Sequence, residues 1–179
     1  MIDQAINPLD GRYFEKTRAL ALYFSEFALM KYRVMIECEY LIALSNLNKL
    51  DLRKFTSSEI KMVRNLYEKF DNISYEKIKK YEAVTNHDVK AVEYFIKEKL
   101  SKTSLKNSIE WVHFALTSED INNIAYALIL SDSLEKAMMP GIKEIIFNLN
   151  KLALKYKNLP MLARTHGQSA SPTVFGKEM

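Results

Sequence analysis

Between residues 25 and 47, apolar side chains fall at Phe27, Met30, Val34, Cys38, Leu41, Ile42 and Ala43. Steps of three and four predict a helix, where a strand would alternate. Thr56 followed by Glu59 has the form of a capping box and predicts a helix running to about Phe70. Ser74 is placed to cap the next helix, which carries Ile78 and Tyr81. Residues 88–100 repeat the pattern, with Val89, Val92, Phe95, Ile96 and Leu100 on one face.

Further along, Ser104 opens a short predicted helix through Trp111, Phe114 and Leu116. Ser118 then caps a long one, with Glu119 and Asp120 in its first turn, where the helix dipole favours negative charge. Its stripe runs through Ile121, Ile124, Ala125, Leu128, Ile129 and Leu134. Pro140 suits the first position of another helix, bearing Ile142, Ile145, Ile146, Leu149, Leu152 and Ala153. Both of the last two helices have broad apolar faces, which need partners. Residues 1–16, with Asn7, Pro8, Asp10 and Gly11, read as an irregular lead-in. Residues 159–171 read as extended or loop, and Pro172 is predicted to begin a final helix.

Composition agrees with an all-α fold. Only 4 Gly and 4 Pro interrupt 179 residues, and 48% of residues are apolar against 27% charged. The length suits one domain and the start of a second. The net charge of +4 is scattered. Lys77, Lys79 and Lys80 read as a solvated helix face and not as a nucleic-acid surface, while the mild positive balance suits anionic small molecules. Cys38 is the single cysteine and reads as a buried inert thiol. No signal segment and no run of membrane-spanning length is present, so no membrane partner is expected and the cytoplasm is the expected compartment.

Four polar segments exceed what a plain helical bundle needs. Arg12 and Tyr13 lie in Asp-Gly-Arg-Tyr, and the Arg12 fork suits phosphate or carboxylate, although such an arginine is often simply a surface residue. Asn86, His87 and Asp88 stand at a helix start, where unpaired amides and the dipole favour an anion. In the plainer reading Asp88 is an ordinary cap and His87 an exposed side chain. Thr117 and Ser118 offer two hydroxyls at another helix start, a plausible carboxylate cradle or only a cap. His113, one turn earlier, reads as a core histidine. Arg164, Thr165, His166, Gly167 and Gln168 form a segment without periodicity. There His166 is a candidate acid or base, or a loop histidine held by local hydrogen bonds. No metal site and no cofactor are expected: the three histidines are far apart, and no Gly-rich phosphate loop occurs.

In order and separation, D-G-R-Y, T-N-H-D-V-K-A-V-E-Y, H-F-A-L-T-S-E-D-I-N-N and R-T-H-G-Q resemble the adenylosuccinate lyases of the fumarase/aspartase superfamily. The resemblance spans about residues 7–179. It implies an N-terminal helical domain over residues 1–107 and the start of a central helical bundle over residues 108–179. It implies β-elimination of fumarate from adenylosuccinate, and from the succinylated aminoimidazole carboxamide ribotide, in purine nucleotide synthesis.

By the same resemblance His166 is the general acid, and His87 belongs to the block that supports it and binds nucleotide with Asn86 and Asp88. Thr117 and Ser118 hold the succinyl carboxylate, Thr165 contacts substrate, and Arg12 and Tyr13 contact phosphate. His113 and Gln168 are supporting residues. The family assembles homotetramers. Two departures stand out. Ser169 and Ser171 replace residues usual after G-Q. The family's base, a serine in a Gly-Ser-Ser loop, has no counterpart here, so the 179 residues alone are expected to be inactive. A related lyase of the argininosuccinate type is disfavoured by T-N-H-D-V, and a non-catalytic helical assembly module is the reading from another class.

Overall fold

The longest helix in the computed structural model is the one with the longest apolar run. Residues 5–47 and 50–179 are described, and the chain divides into two units, Met1–Asp132 and Ser133–Met179. The part of the expected lead-in that falls on residues 1–4 lies outside the described residues. From Ala5 the chain turns into two short helices, α1 (Phe14–Thr17) and α2 (Ala21–Phe24). Helix α3 (Glu26–Asn46) follows, opened by Ser25, whose hydroxyl accepts from the Ala28 N–H. It buries residues on all sides, including Arg33 and Glu37, so it forms the axis of the first unit.

Four helices surround that axis. In α4 (Ser57–Glu68) the predicted capping box is complete: the Glu59 N–H donates to the Thr56 hydroxyl and the Thr56 N–H to the Glu59 carboxylate. The cap of α5 (Asn72–Thr85) differs from expectation. Asp71 is the cap and accepts from the Ser74 N–H, so Ser74 is already helical. Both residues are good caps, and the carboxylate three positions earlier captures the amide. Helix α6 (Asp88–Ser101) buries Val89, Val92, Phe95, Ile96 and Leu100 as predicted. Helix α7 (Ser118–Ser133) buries Ile121, Ala125 and Ile129, while Ile124 is left exposed.

The main core joins Met30, Val34, Cys38 and Leu41 of α3 to Val63, Ile78 and the inner face of α6. A smaller cluster of Ile36, Val89, Ile121 and Ala125 ties α3 to the beginnings of α6 and α7. Cys38 lies wholly buried, and desolvation raises its thiol pKa well above the usual range, which matches an inert packing role. Lys77 and Lys79 pair with Glu98, Glu26 and Glu82, as expected of a solvated helix face.

Between α6 and α7 the predicted short helix is a 3₁₀ turn, Lys106–Trp111, and does not reach Leu116. It stops where Val112 turns extended, and His113 and Ala115 beyond it take positive φ, 63° and 58°. Such left-handed residues cannot continue a right-handed helix.

The second unit opens with a π turn, Leu134–Met138, leading into α8 (Met139–Lys155), with Pro140 in its first turn as predicted. Residues 160–174 form a hairpin of β1 (Pro160–Thr165) and β2 (Gln168–Val174). The expectation of extended chain holds over this segment, but that of a helix from Pro172 does not. Pro172 pairs with Leu162, next to a register slip that leaves one extra residue on β2. A bulge is one of the few sheet positions that tolerate proline. A 3₁₀ turn, Phe175–Glu178, follows and packs on the end of α8. There the Gly176 N–H donates to the Tyr156 carbonyl at 3.0 Å, and the Tyr156 and Phe175 rings meet edge to face. A Cβ at Gly176 would lie 2.3 Å from the Ala153 carbonyl oxygen, so only glycine fits this approach.

Glu59 does more than close a capping box. It also accepts from Arg53 and, at 2.6 Å, from the Ser104 hydroxyl. Those donors, Arg53 first, hold its carboxyl far below the usual carboxylate range. The folded pKa is the lower one, so this stabilisation is complete above the unfolded value and is lost as pH falls below it. Glu59→Ala is expected to cost about 2–3 kcal/mol at neutral pH. Urea midpoints at pH 7 and pH 3 check it: the difference between wild type and variant must shrink at the lower pH.

Candidate functional site

Two of the four candidate segments contain left-handed residues, at Asn86 and at His166–Gly167, and a third follows closely on two more, His113 and Ala115. Asn86 ends α5 in the left-handed region, φ 51°. Its N–H returns to the Glu82 carbonyl and frees His87 to start a new helix. His87 is the cap of α6, its Nδ1 accepting from the Lys90 N–H at 3.2 Å. That corrects the plainer expectation, in which Asp88 was the cap. Asp88 is the first helical residue, and its Oδ1 accepts from its neighbour's N–H, Val89, at 2.9 Å.

At the start of α7, Asp120 accepts from the Thr117 N–H at 2.7 Å and from the Thr117 hydroxyl at 3.1 Å. These two donors lower the Asp120 pKa. Ser118 was expected to cap this helix; it is instead the helix's first residue, and its hydroxyl is turned outward to His87. The separation from the Ser118 Oγ to the His87 Nε2 is 3.5 Å, at the outer limit of hydrogen bonding.

The N-termini of α6 and α7 are therefore neighbours, and one residue clamps them. Arg33 of α3, almost fully buried, donates through Nη2 to the Asp88 carboxylate at 2.7 Å and through Nε to Asn122 Oδ1 at 2.9 Å. Burial works against the Asp88 carboxylate, but Arg33 and the Val89 N–H outweigh it and keep its pKa below normal. Two helix N-termini side by side concentrate positive potential, which suits an anion bearing more than one negative group. Among the described residues no group of three or more His, Cys, Asp and Glu is arranged to hold a metal ion.

His113 lies just before this turn. Its Nδ1 is 2.5 Å from Oε1 of Glu37, which is completely buried on α3. Arg12 and Tyr13 occupy the lead-in, where the guanidinium donates to the Tyr13 hydroxyl at 2.8 Å and lies over the neighbouring ring.

The fourth segment belongs to the second unit. His166 and Gly167, φ 50° and 74°, are the two central residues of the hairpin turn, closed by the Thr165–Gln168 pair. Positive φ at both positions is the signature of a type I′ turn. His166 sits exposed at the tip, and Thr165 and Gln168 flank it on the strand ends.

Sequence reasoning missed Arg33 and Glu37. A signal exists: the two are spaced by four and stand beside Val34 and Cys38, on the predicted apolar stripe. Charged side chains on a buried stripe need partners, and these found theirs at Asp88, Asn122 and His113.

A family model described as Lyase matches residues 11–179. Adenylosuccinate lyase of Dictyostelium discoideum is 49% identical over 181 residues, covering 98% of this chain and 39% of the relative. Adenylosuccinate lyase of Legionella pneumophila (strain Corby) is 44% identical over 177 residues, again covering 98% and 39%. Among solved structures, a fumarate lyase from Mesorhizobium sp. BNC1 superposes with a TM-score of 0.70 at 20% identity, covering 92% of this chain and 35% of that one, a likeness of fold. The chain thus spans about two fifths of the length of the relatives it matches.

Proposed function

Because the chain belongs to the Lyase family, we propose that it is the N-terminal part of an adenylosuccinate lyase, releasing fumarate from adenylosuccinate and from the succinylated aminoimidazole carboxamide ribotide in purine nucleotide synthesis. The observation that carries this reading is the clamped pair of helix N-termini, with His87 and Ser118 in contact and Arg33 bridging Asp88 to Asn122. A succinyl group carries two carboxylates, and a nucleotide adds a phosphate. Adjoining helix starts favour such a ligand electrostatically, with Ser118 as a donor and the Thr117 hydroxyl a second one when the ligand carboxylate takes the place of Asp120 on it.

In the elimination, a proton leaves the carbon next to a carboxylate and the C–N bond breaks. Thr117 and Ser118 hold the carboxylate into which the negative charge spreads. His87 and Asn86 bind the nucleotide side, Asp88 fixes the start of α6 through Arg33, and Arg12 with Tyr13 contacts the phosphate. His166 protonates the departing exocyclic nitrogen, with Thr165 and Gln168 beside it. A hairpin tip suits this role, since it presents the imidazole free of core contacts.

None of these residues is assigned as the base. The 179 residues alone are accordingly proposed to be inactive, with activity belonging to the intact protein. That protein is proposed to be a cytoplasmic homotetramer. Support for assembly comes from α8, where Ile145, Ile146, Phe147 and Leu154 are all more than half exposed. Among the described residues no helix is long and apolar enough to cross a membrane.

The test is fumarate release, followed by the absorbance change on adenylosuccinate cleavage. The intact protein is expected to cleave adenylosuccinate and leave argininosuccinate untouched, and the 179-residue chain to cleave neither. An intact protein that binds no succinylated nucleotide and releases no fumarate would overturn the reading in favour of an assembly module.

A further inference from the structure

Glu37 is the one fully buried carboxylate of α3, and its surroundings do not account for it. Its Oε1 meets the His113 Nδ1 at 2.5 Å, while its Oε2 has no hydrogen-bond partner among the described residues. Desolvation raises its pKa, and His113 opposes that rise. Glu93, the acid whose charge adds to that rise, is already held by Lys90 and Lys97. As a pure stability device this arrangement is poor, because an apolar side chain of similar volume would avoid the cost of burying the carboxylate. His113 adds a second cost, a left-handed backbone at φ 63° in a non-glycine residue. Two unfavourable features converge on one imidazole, whose chain leads within four residues into the Thr117–Asp120 turn.

We propose that Glu37 is a positioning residue, fixing His113 in the Nδ1–H form so that Nε2, on the far side of the ring, serves the site as a hydrogen-bond acceptor for an N–H or O–H of the substrate. The logic is that of a carboxylate behind a histidine. A bond at one ring nitrogen decides which nitrogen is left free and stops the ring from turning. The left-handed backbone at His113 turns the chain sharply between Val112 and the start of α7, four residues before the Thr117–Asp120 turn. This inference rests on the elimination reading above, since it gives His113 a substrate to meet.

Two measurements on the intact protein test it. In the first, ¹⁵N-histidine NMR reads the tautomer without substrate, with the His113 signal identified by its loss in His113→Gln. Wild type is expected to show Nδ1–H, and Glu37→Leu to revert to Nε2–H, the form free imidazoles prefer. In the second, kcat/KM for adenylosuccinate is expected to fall about 10²-fold in Glu37→Leu, and Glu37→Gln, which keeps an acceptor for Nδ1–H, to recover most of the loss. A wild-type His113 in the Nε2–H form, or equal losses in the two variants, overturns the proposal. Should Glu37→Leu fail to fold, the wild-type tautomer and the Gln variant still decide. A wild type that releases no fumarate sinks the elimination reading instead, and the tautomer still reports on the dyad.

Discussion

Replacing His166 with alanine in the intact protein is expected to lower fumarate release from adenylosuccinate by about 10²–10⁴-fold, the usual contribution of one acid–base group. The expectation follows from where the imidazole stands. It is exposed at the hairpin tip and makes no core contact, so its loss removes a proton carrier and little packing. One complication is the backbone. With φ at 50°, alanine in this position carries a left-handed penalty of about 1 kcal/mol, so alanine alone confounds a weakened turn with lost chemistry. Asparagine separates the two effects, because Asn-Gly is the pair most favoured in a two-residue hairpin turn. His166→Asn is expected to keep or strengthen the hairpin and still lose the same activity. If the asparagine variant turns over at the wild-type rate, His166 is not the acid.

Truncating Phe95 to alanine has the largest expected effect on stability. The ring is 1% exposed in the middle of α6 and meets Phe70 edge to face with centroids 6.4 Å apart. Removing a buried phenyl ring costs about 3–5 kcal/mol, the transfer free energy plus the cavity left behind. A domain is stable by only about 5–15 kcal/mol, so this substitution removes a large share. A urea titration is the measurement, with Tyr94→Ala as its partner, since Tyr94 is 39% exposed beside it and is expected to cost far less. A midpoint unchanged in Phe95→Ala would mean that the inner face of α6 does not belong to the main core. Activity per folded molecule is expected to stay near wild type, because Phe95 lies two turns from His87.

Much of this architecture was legible because period and capping agree. Helix α3 has both an apolar stripe and Ser25 at its start, and α4 has its box. Where two signals competed, reading failed. Asp71 and Ser74 are equally good caps three residues apart, and nothing local ranks them. Pro172 suits the start of a helix as well as a bulge, and its pairing with Leu162 decides between them. His-Gly is not among the common hairpin dipeptides, so the turn read as featureless loop. In the candidate site, Asn86, His87, Thr117 and Ser118 could be picked out by chemistry at helix starts. Their contact, across 31 residues of chain, is tertiary and invisible to local pattern. Arg33 was hidden for the same reason, since its two partners lie 55 and 89 positions away.

Gly176 sets a condition on the hairpin that its own turn residues do not reveal. The hairpin is anchored at its base, where the chain presses against the last turn of α8, and His166 is at the opposite end, roughly 20 Å away along the strands. Any side chain inserted at the base would push on rigid backbone, and a small tilt there becomes a displacement of several ångströms at the tip. If His166 is the proton donor proposed above, its aim is thus governed by a glycine at a point remote from the tip.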